Sequence, residues 1–387
     1  MQSLVSEDPP LRSSRRHLLF GIGASAVTAA VSPNLGAIPF LRVASPNAEG
    51  ALDGPIHLDR NENPYGPSDL AIAAIRDSLG AANRYSDDAG ALRAKIARFH
   101  KVDPEQVVLG CGSSEVLQMA AEAFLSPGKK LVMATPSYPL LASYARAKGI
   151  EVVKIPLTSA FTHDLQGMLA RSDSSTGLIY ICNPNDPTGN VTVRDEIEEF
   201  LGRLPSNIPV IIDEAYHEYV NPSTAYASFI DRPIHDGRTI VTRTFSKVYG
   251  LAGLRIGYGV APAEMARRLA PFRLQPENTL AIKAAMAALD DQDHVRRSVQ
   301  RNADQRQEFW NKANVRMVNV TESLANFVLV HLDLPSDQLV AHFSKNNILV
   351  AHDVGMDGFV RVSIGRPDEL DAFWRVWDML PHHFMHK

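Results

Sequence analysis

From residue 107 onward the chain alternates short apolar runs with stretches of helical periodicity, and this alternation limits its fold more than any other feature. The runs are "VVLG", "KLVMAT", "EVVKI", "GLIYIC", "PVIID" and "TIVTR"; between them lie segments such as "SSEVLQMAAEAFL" and "RDEIEEFLGRL". A strand with one wet face alternates apolar and polar residues, whereas these runs are mainly apolar or β-branched. Strands of that kind are buried on both faces. They predict βαβ units and an α/β fold, with a mainly parallel central sheet and helices on both faces. Ser113 and Ser114 before an apolar stripe, and Thr192 before "VRDEIEEF", mark helix starts. After about Pro276 long helical stretches precede the strands "NFVLVHL", "NILVA" and "FVRVSI" and the helix "PSDQLVAHFSKN", which predicts a smaller α+β domain. The expected boundaries are 84–289 for the larger domain, 51–83 with 290–387 for the smaller, and 1–50 for a leader and linker.

At 387 residues, 45% hydrophobic and 21% charged, the chain is long enough to bury cores for two domains. A net charge of -4 and a pI of about 6.4 give no basic surplus for a nucleic-acid partner. Its two cysteines, Cys111 and Cys182, form no disulfide framework and no CxxC pair, and no metal site is expected. The first residues follow another logic. Arg15 and Arg16 stand before an apolar, small-residue run from Leu18 to Val31, closed by Pro33. The run falls short of the roughly 20 residues a membrane span takes. It is similar to a twin-arginine export signal, so the mature protein is expected to begin after Val31 outside the cytoplasm; without a signal the chain would be cytoplasmic.

Three of the apolar runs end in reactive residues: "NPNDPTG" after "GLIYIC", "DEAYHEY" after "PVII", and "TFSK" after "TIVTR". The carboxyl ends of parallel strands are where ligands collect. The set suits a pyridine-type cofactor, which needs a carboxylate on its ring nitrogen, a donor on its phenolic oxygen, a phosphate cup and a lysine for its aldehyde. Asp213 ends an apolar strand, where a carboxylate is costly unless a positive group meets it. Lys247 would form the aldimine and then move the substrate proton. Tyr216 is a donor for the phenolic oxygen, Arg255 a cation near the lysine or the phosphate, and Thr244 and Ser246 offer hydroxyls to phosphate. "GCGSSE" puts Gly112, Ser113 and Ser114 at a helix N-terminus, where backbone amides favour an anion. It lacks the third glycine of a dinucleotide fingerprint, and "LSPGKKL" lacks P-loop spacing, so neither NAD nor ATP is supported.

Taken in order, "NENPYGPS", "PTG", "DEAY", "SKVYGLAGLRIGY" and "FVRVSIG" resemble fold-type I aminotransferases dependent on pyridoxal 5′-phosphate, and look most like the histidinol-phosphate aminotransferase branch of class II, over about residues 55–375. The resemblance implies amino transfer from an amino acid or phosphorylated amino alcohol to a 2-oxo acid. It also implies a homodimer with shared sites: Tyr85 would reach the neighbouring subunit's phosphate, Tyr138 would stack on the ring, and Tyr65 would lie at the mouth of the site in a closing loop, Asn61 to Pro67. Arg361, an arginine inside an apolar strand, would grip the substrate α-carboxylate with a planar fork, and Asn326 would line the same pocket. Two positions depart from the family. Asp186 replaces the usual asparagine before Pro-Thr-Gly; a carboxylate cannot donate to a phenolic oxygen, so either Asp186 is protonated or Asn185 or Tyr216 supplies the donor. Ala351 stands where those enzymes carry an arginine for the substrate phosphate, with His352 beside it, which makes a different substrate an expectation. A decarboxylase, cyclase or lyase on the same fold, and a non-catalytic exported binding protein, are the alternative readings.

Overall fold

The apolar runs form the middle of a seven-stranded sheet. In this computed structural model the described residues are 54–380, apart from Pro222, Thr224, Ile234, His235, Gln275 and residues 352–354, and all belong to one unit, Glu49–Lys387. The paired arginines, the apolar leader and His352 lie outside the described residues.

The chain runs β1 (Ile56–Leu58), α1 (Asp69–Ser78), α2 (Ala89–His100), β2 (Val107–Gly110), α3 (Ser113–Phe124), β3 (Lys130–Thr135), α4 (Leu140–Ala147), β4 (Glu151–Pro156), α5 (Leu165–Ala170), β5 (Thr176–Cys182), α6 (Arg194–Arg203), β6 (Val210–Asp213), β7 (Thr239–Thr244) and β8 (Gly257–Val260). It continues through α7 (Ala263–Leu269), α8 (Thr279–Asp290), α9 (Gln292–Val315), β9 (Asn319–Val320), β10 (Phe327–His331), α10 (Ser336–Lys345), β11 (Ile348–Val350), β12 (Phe359–Ser363) and α11 (Pro367–Trp377). The large sheet has the order β2-β8-β7-β6-β5-β3-β4, parallel except where β8 runs antiparallel between β2 and β7.

Side chains alternate across a strand, and in β2, β5, β6 and β7 both faces are dry; the edge strand β4 departs from the expectation, alternating Val153 and Ile155 inward with exposed Glu151, Lys154 and Pro156 because no strand covers its outer side. Ile179, Ile181, Val210, Ile212 and Val241 enter one apolar core with Ile197 and Phe200 of α6. Leu178, Tyr180, Cys182, Ile211 and Ile240 enter another with Val116, Leu117 and Ala120 of α3. Each such Ile or Leu contributes about 1.5–3 kcal/mol on burial, and the polar residues within these strands, such as Tyr180 and Thr242, are kept by hydrogen bonds.

A third core joins Leu58 to Phe309, Val328, Val330, Phe343, Val360, Phe373 and Trp377, with Phe343 stacked on Phe373 at 4.7 Å. Around it stand the antiparallel sheet β12-β10-β9 and the parallel pair β1-β11. Helix α9 runs between cores: Val295 belongs to the first, Phe309 and Ala313 to the third.

One expected helix start is corrected. The cap of α6 is Val193, not Thr192. The Thr192 hydroxyl accepts instead from the backbone N–H of His163 at 3.0 Å and pairs with His163 Nδ1 at 2.8 Å. Among the described residues no helix is long and apolar enough to cross a membrane.

Candidate active site

A cavity of about 410 Å³ opens where β5, β6 and β7 end and α3 begins. Ser113, Ser114, Tyr138, Asp186, Asp213, Tyr216, Thr244, Ser246, Lys247, Arg255 and Arg361 all line it, so most of the expected site residues meet in one place.

The acid is held from two strands. Asp213, at the end of β6, accepts hydrogen bonds from Tyr180 Oη of β5 and Thr242 Oγ1 of β7, each at 2.8 Å. Burial pushes its pKa up, and these two hydrogen bonds offset part of the rise. No cation pairs with it among the described residues. Lys247 Nζ donates to the Arg60 carbonyl at 3.0 Å and lies 5.4 Å from the centre of the Tyr216 ring. Burial drives its pKa down to about 8, against the opposing pull of Asp186, with Arg361 and Arg255 adding to the fall. A lysine in that state carries a sizeable neutral fraction near pH 7 to 8, as a nucleophilic amine requires.

The anion cup is cationic and hydroxyl-rich. Ser113 and Ser114 are the first residues of α3, and Gly112 before them has φ 79°. Arg255, itself left-handed at φ 55°, donates from Nη1 to the Ala252 carbonyl at 2.9 Å and Ser246 Oγ at 3.3 Å, and from Nη2 to Ser114 Oγ at 3.4 Å. A Cβ on Gly112 would stand 2.4 Å from Arg255 Nη2, so only glycine admits the guanidinium there. Tyr138 forms another wall; burial, then Asp213 and Asp186, push its hydroxyl up to about 12.

The departure at residue 186 has a defined setting. Asp186 pairs through Oδ1 with Arg361 Nη1, and its Oδ2 accepts from Tyr216 Oη at 2.7 Å and Asn61 Nδ2 at 3.5 Å. Asn185 is turned away, donating to the Pro136 carbonyl at 3.2 Å and Thr188 Oγ1 at 3.1 Å, so of the two candidate donors only Tyr216 faces the cavity. Arg361 Nη2 donates to the Asp59 carbonyl at 2.8 Å, while its buried Nε has no hydrogen-bond partner among the described residues.

Several expected residues stand outside the wall. Asn326 is a support: its Nδ2 donates to the Asn61 carbonyl at 2.9 Å. Tyr65 lies under the Arg301 guanidinium, 4.5 Å from ring centre to carbon, rather than in the cavity. Tyr85 is 87% exposed and does not line its own chain's cavity. Conversely, Arg60, Asn61 and Glu62 line the cavity. Asn61 takes φ 54°, a conformation asparagine tolerates better than most residues, and is fixed by Ser363, whose Oγ accepts its N–H at 2.8 Å. Asn63 Nδ2, donating to the Val248 carbonyl at 2.8 Å, ties this loop to the lysine segment. Tyr180 and Thr242 were not foreseen; the one signal for them is their placement on strands flanking Asp213.

These walls fit pyridoxal 5′-phosphate on three counts: among the described residues, a buried carboxylate lacking a cation, a cup whose Arg255 meets no carboxylate, and a partly neutral lysine in the same cavity. The sequence profile of the family "Aminotransferase class I and II" matches residues 53–375. A histidinol-phosphate aminotransferase of Shouchella clausii is 37% identical over 329 residues, 84% of this chain and 89% of the relative. Among solved structures, a putative histidinol-phosphate aminotransferase of Erwinia carotovora atroseptica superposes with a TM-score of 0.78 at 30% identity, covering 84% of this chain and 95% of its own. The Sinorhizobium meliloti histidinol-phosphate aminotransferase in complex with pyridoxal 5′-phosphate gives 0.77 at 26% identity, covering 84% and 90%. The chain therefore belongs to the class I and II aminotransferases and is a pyridoxal-phosphate-dependent enzyme that transfers amino groups.

Proposed function

We propose that the cavity residues divide the work of amino transfer as follows. The cofactor, when bound, supplies an electron-accepting ring and an aldehyde. Lys247 Nζ holds that aldehyde and afterwards carries the substrate proton, acting as base because its charged form is disfavoured by burial. Asp213, fixed by Tyr180 and Thr242, keeps a ring nitrogen protonated. The α3 amides, Ser114, Thr244, Ser246 and Arg255 bind the phosphate, and the Tyr138 ring packs on the cofactor. Tyr216 Oη, which donates its one proton to Asp186 in this structure, would serve the phenolic oxygen by turning that proton away from Asp186, and Arg361, held by Asp186, lines the cavity on the substrate side. The observation that carries this reading is the meeting of Lys247, Asp213 and Arg255 in one cavity.

The donor is an amino acid or a phosphorylated amino alcohol, and the acceptor a 2-oxo acid. The relatives are named for histidinol phosphate; here Ala351, whose N–H donates to the Arg361 carbonyl at 2.9 Å, supplies a methyl beside Arg361, so that substrate loses one charged contact. The working form is a homodimer in which the exposed Tyr85 reaches the neighbouring copy's phosphate. Export follows from the paired arginines and apolar run; sequencing the N-terminus of the native protein tests it, and a cytosolic product retaining Met1 or Gln2 would count against it.

The deciding experiment is spectroscopic. Purified protein should carry the cofactor's visible absorbance, lose it in Lys247→Ala, and show amination of the cofactor when given a donor. A colourless wild type that takes up no added cofactor would reject the assignment.

A further inference from the structure

A second cavity of about 570 Å³ opens beside the first and shares Tyr138, Asp186 and Arg361 with it. Its far wall carries Arg146 of α4 and Lys154 of β4, both exposed, and neither meets a carboxylate among the described residues. Among the described residues Asp186 is the one acid on that wall, and it is engaged by Arg361.

That pairing alters the arginine's chemistry. A lone guanidinium at the reacting end would draw in a carboxylate; a guanidinium in contact with Asp186 presents a nearly neutral pair, and an incoming carboxylate meets a like charge beside its intended partner. Both Asp186 oxygens are occupied, by Arg361, Tyr216 and Asn61, so the carboxylate is fixed where it cancels the fork's charge. In the second cavity the positive charge that meets no carboxylate among the described residues is that of Arg146 and Lys154.

We propose that anion recognition in this enzyme has moved outward: Asp186 neutralises Arg361, and Arg146 with Lys154 binds an anionic group, phosphate or carboxylate, at the end of the substrate remote from its amine. The proposal rests on the amino-transfer reading above, and deepens it by naming the residues that choose the substrate. Because both cations are exposed, their pull weakens as salt rises.

The test uses holoenzyme and a matched set of donors ending in phosphate, carboxylate or a neutral group, each with and without an α-carboxylate. In wild type, donors with an anionic end should have the lower KM, an advantage that shrinks with added salt. The double variant Arg146→Ala/Lys154→Ala should raise the KM of the preferred anionic donors by roughly fivefold or more, with kcat and neutral-ended donors held within about twofold. The larger loss among phosphate and carboxylate ends identifies the group taken. Asp186→Asn should lower the KM of α-carboxylate donors by roughly tenfold. Equal KM values for charged and neutral ends in wild type, an unresponsive double variant, or an unchanged or higher α-carboxylate KM in Asp186→Asn each overturns the proposal. If Asp186→Asn does not retain cofactor, wild type compared on an amino acid and its amino alcohol decides: preference for the acid overturns it, preference for the alcohol supports it. Absence of amino transfer from every donor defeats the underlying reading instead, and the proposal with it.

Discussion

Gly112 holds its place at the head of α3 for two separable reasons, a φ of 79° and a guanidinium where its Cβ would be. The backbone cost of alanine at such an angle is about 1 kcal/mol, whereas displacing Arg255 removes a charge from the anion cup. Gly112→Ala is therefore expected to weaken cofactor binding by roughly tenfold or more while shifting thermal unfolding of the cofactor-free protein by only a few degrees; titration of that form with cofactor separates the two effects. Lys247 and Asp213 were legible as a pair because each sits where an apolar run meets reactive residues. Tyr180 and Thr242 were not. Their partnership with Asp213 depends on the inter-strand register that sets Cys182 and Thr242 opposite it, and a single sequence carries no register between parallel strands. The Asp186–Arg361 pair was hidden for a related reason, since the two residues lie 175 positions apart.

The elements around the site are fastened by polar contacts with measurable consequences. Arg243 of β7 is buried against Glu214, with Nε donating to Oε2 at 2.9 Å, and Nη1 donates to Glu218 Oε1 at 3.1 Å, so β7 is tied to the segment that follows Asp213. Removing one member of a buried pair leaves the other charge without compensation, which costs about 3–5 kcal/mol. Arg243→Met should lower the unfolding free energy in urea by about that much, and Glu214→Gln added to it should restore part of the loss. His163, buried ahead of α5, is pressed by burial to a pKa of about 4 from an ordinary 6.5. The unfolded chain binds the extra proton first, so stability present above pH 6.5 falls as pH drops toward 4, by about 3 kcal/mol if the whole shift acts. His163→Asn should remove that slope; parallel stability curves for the two proteins would contradict it. The six quoted runs all became strands of the large sheet, because continuous apolar character is a local signal. Strand β8, "GYGV", escaped notice because glycine hides a strand's pattern, and the start of α3 lies against those glycines: a Cβ on Gly257 would stand 2.3 Å from the Ser113 nitrogen, and one on Gly259 2.9 Å from Val116.

At the scale of the whole molecule, Tyr85 is a large aromatic left 87% exposed. If it reaches a second copy's phosphate, sedimentation will show a dimer, and Tyr85→Phe will raise the cofactor dissociation constant by about fivefold without dissociating the subunits. Cofactor retention unchanged in Tyr85→Phe would remove this tyrosine from the site. The cavity itself gathers residues from Arg60 to Arg361. Its near wall depends on β1, which lies beside β11 with Ile56 opposite Ile348, far along the chain. Until synthesis has passed Val350, the stretch bearing Arg60, Asn61 and Glu62 has no strand to rest against. A stalled or clipped product thus lacks that wall, with Lys247 Nζ deprived of the Arg60 carbonyl it rests on, so the cavity is finished only once the late strand has come off the ribosome.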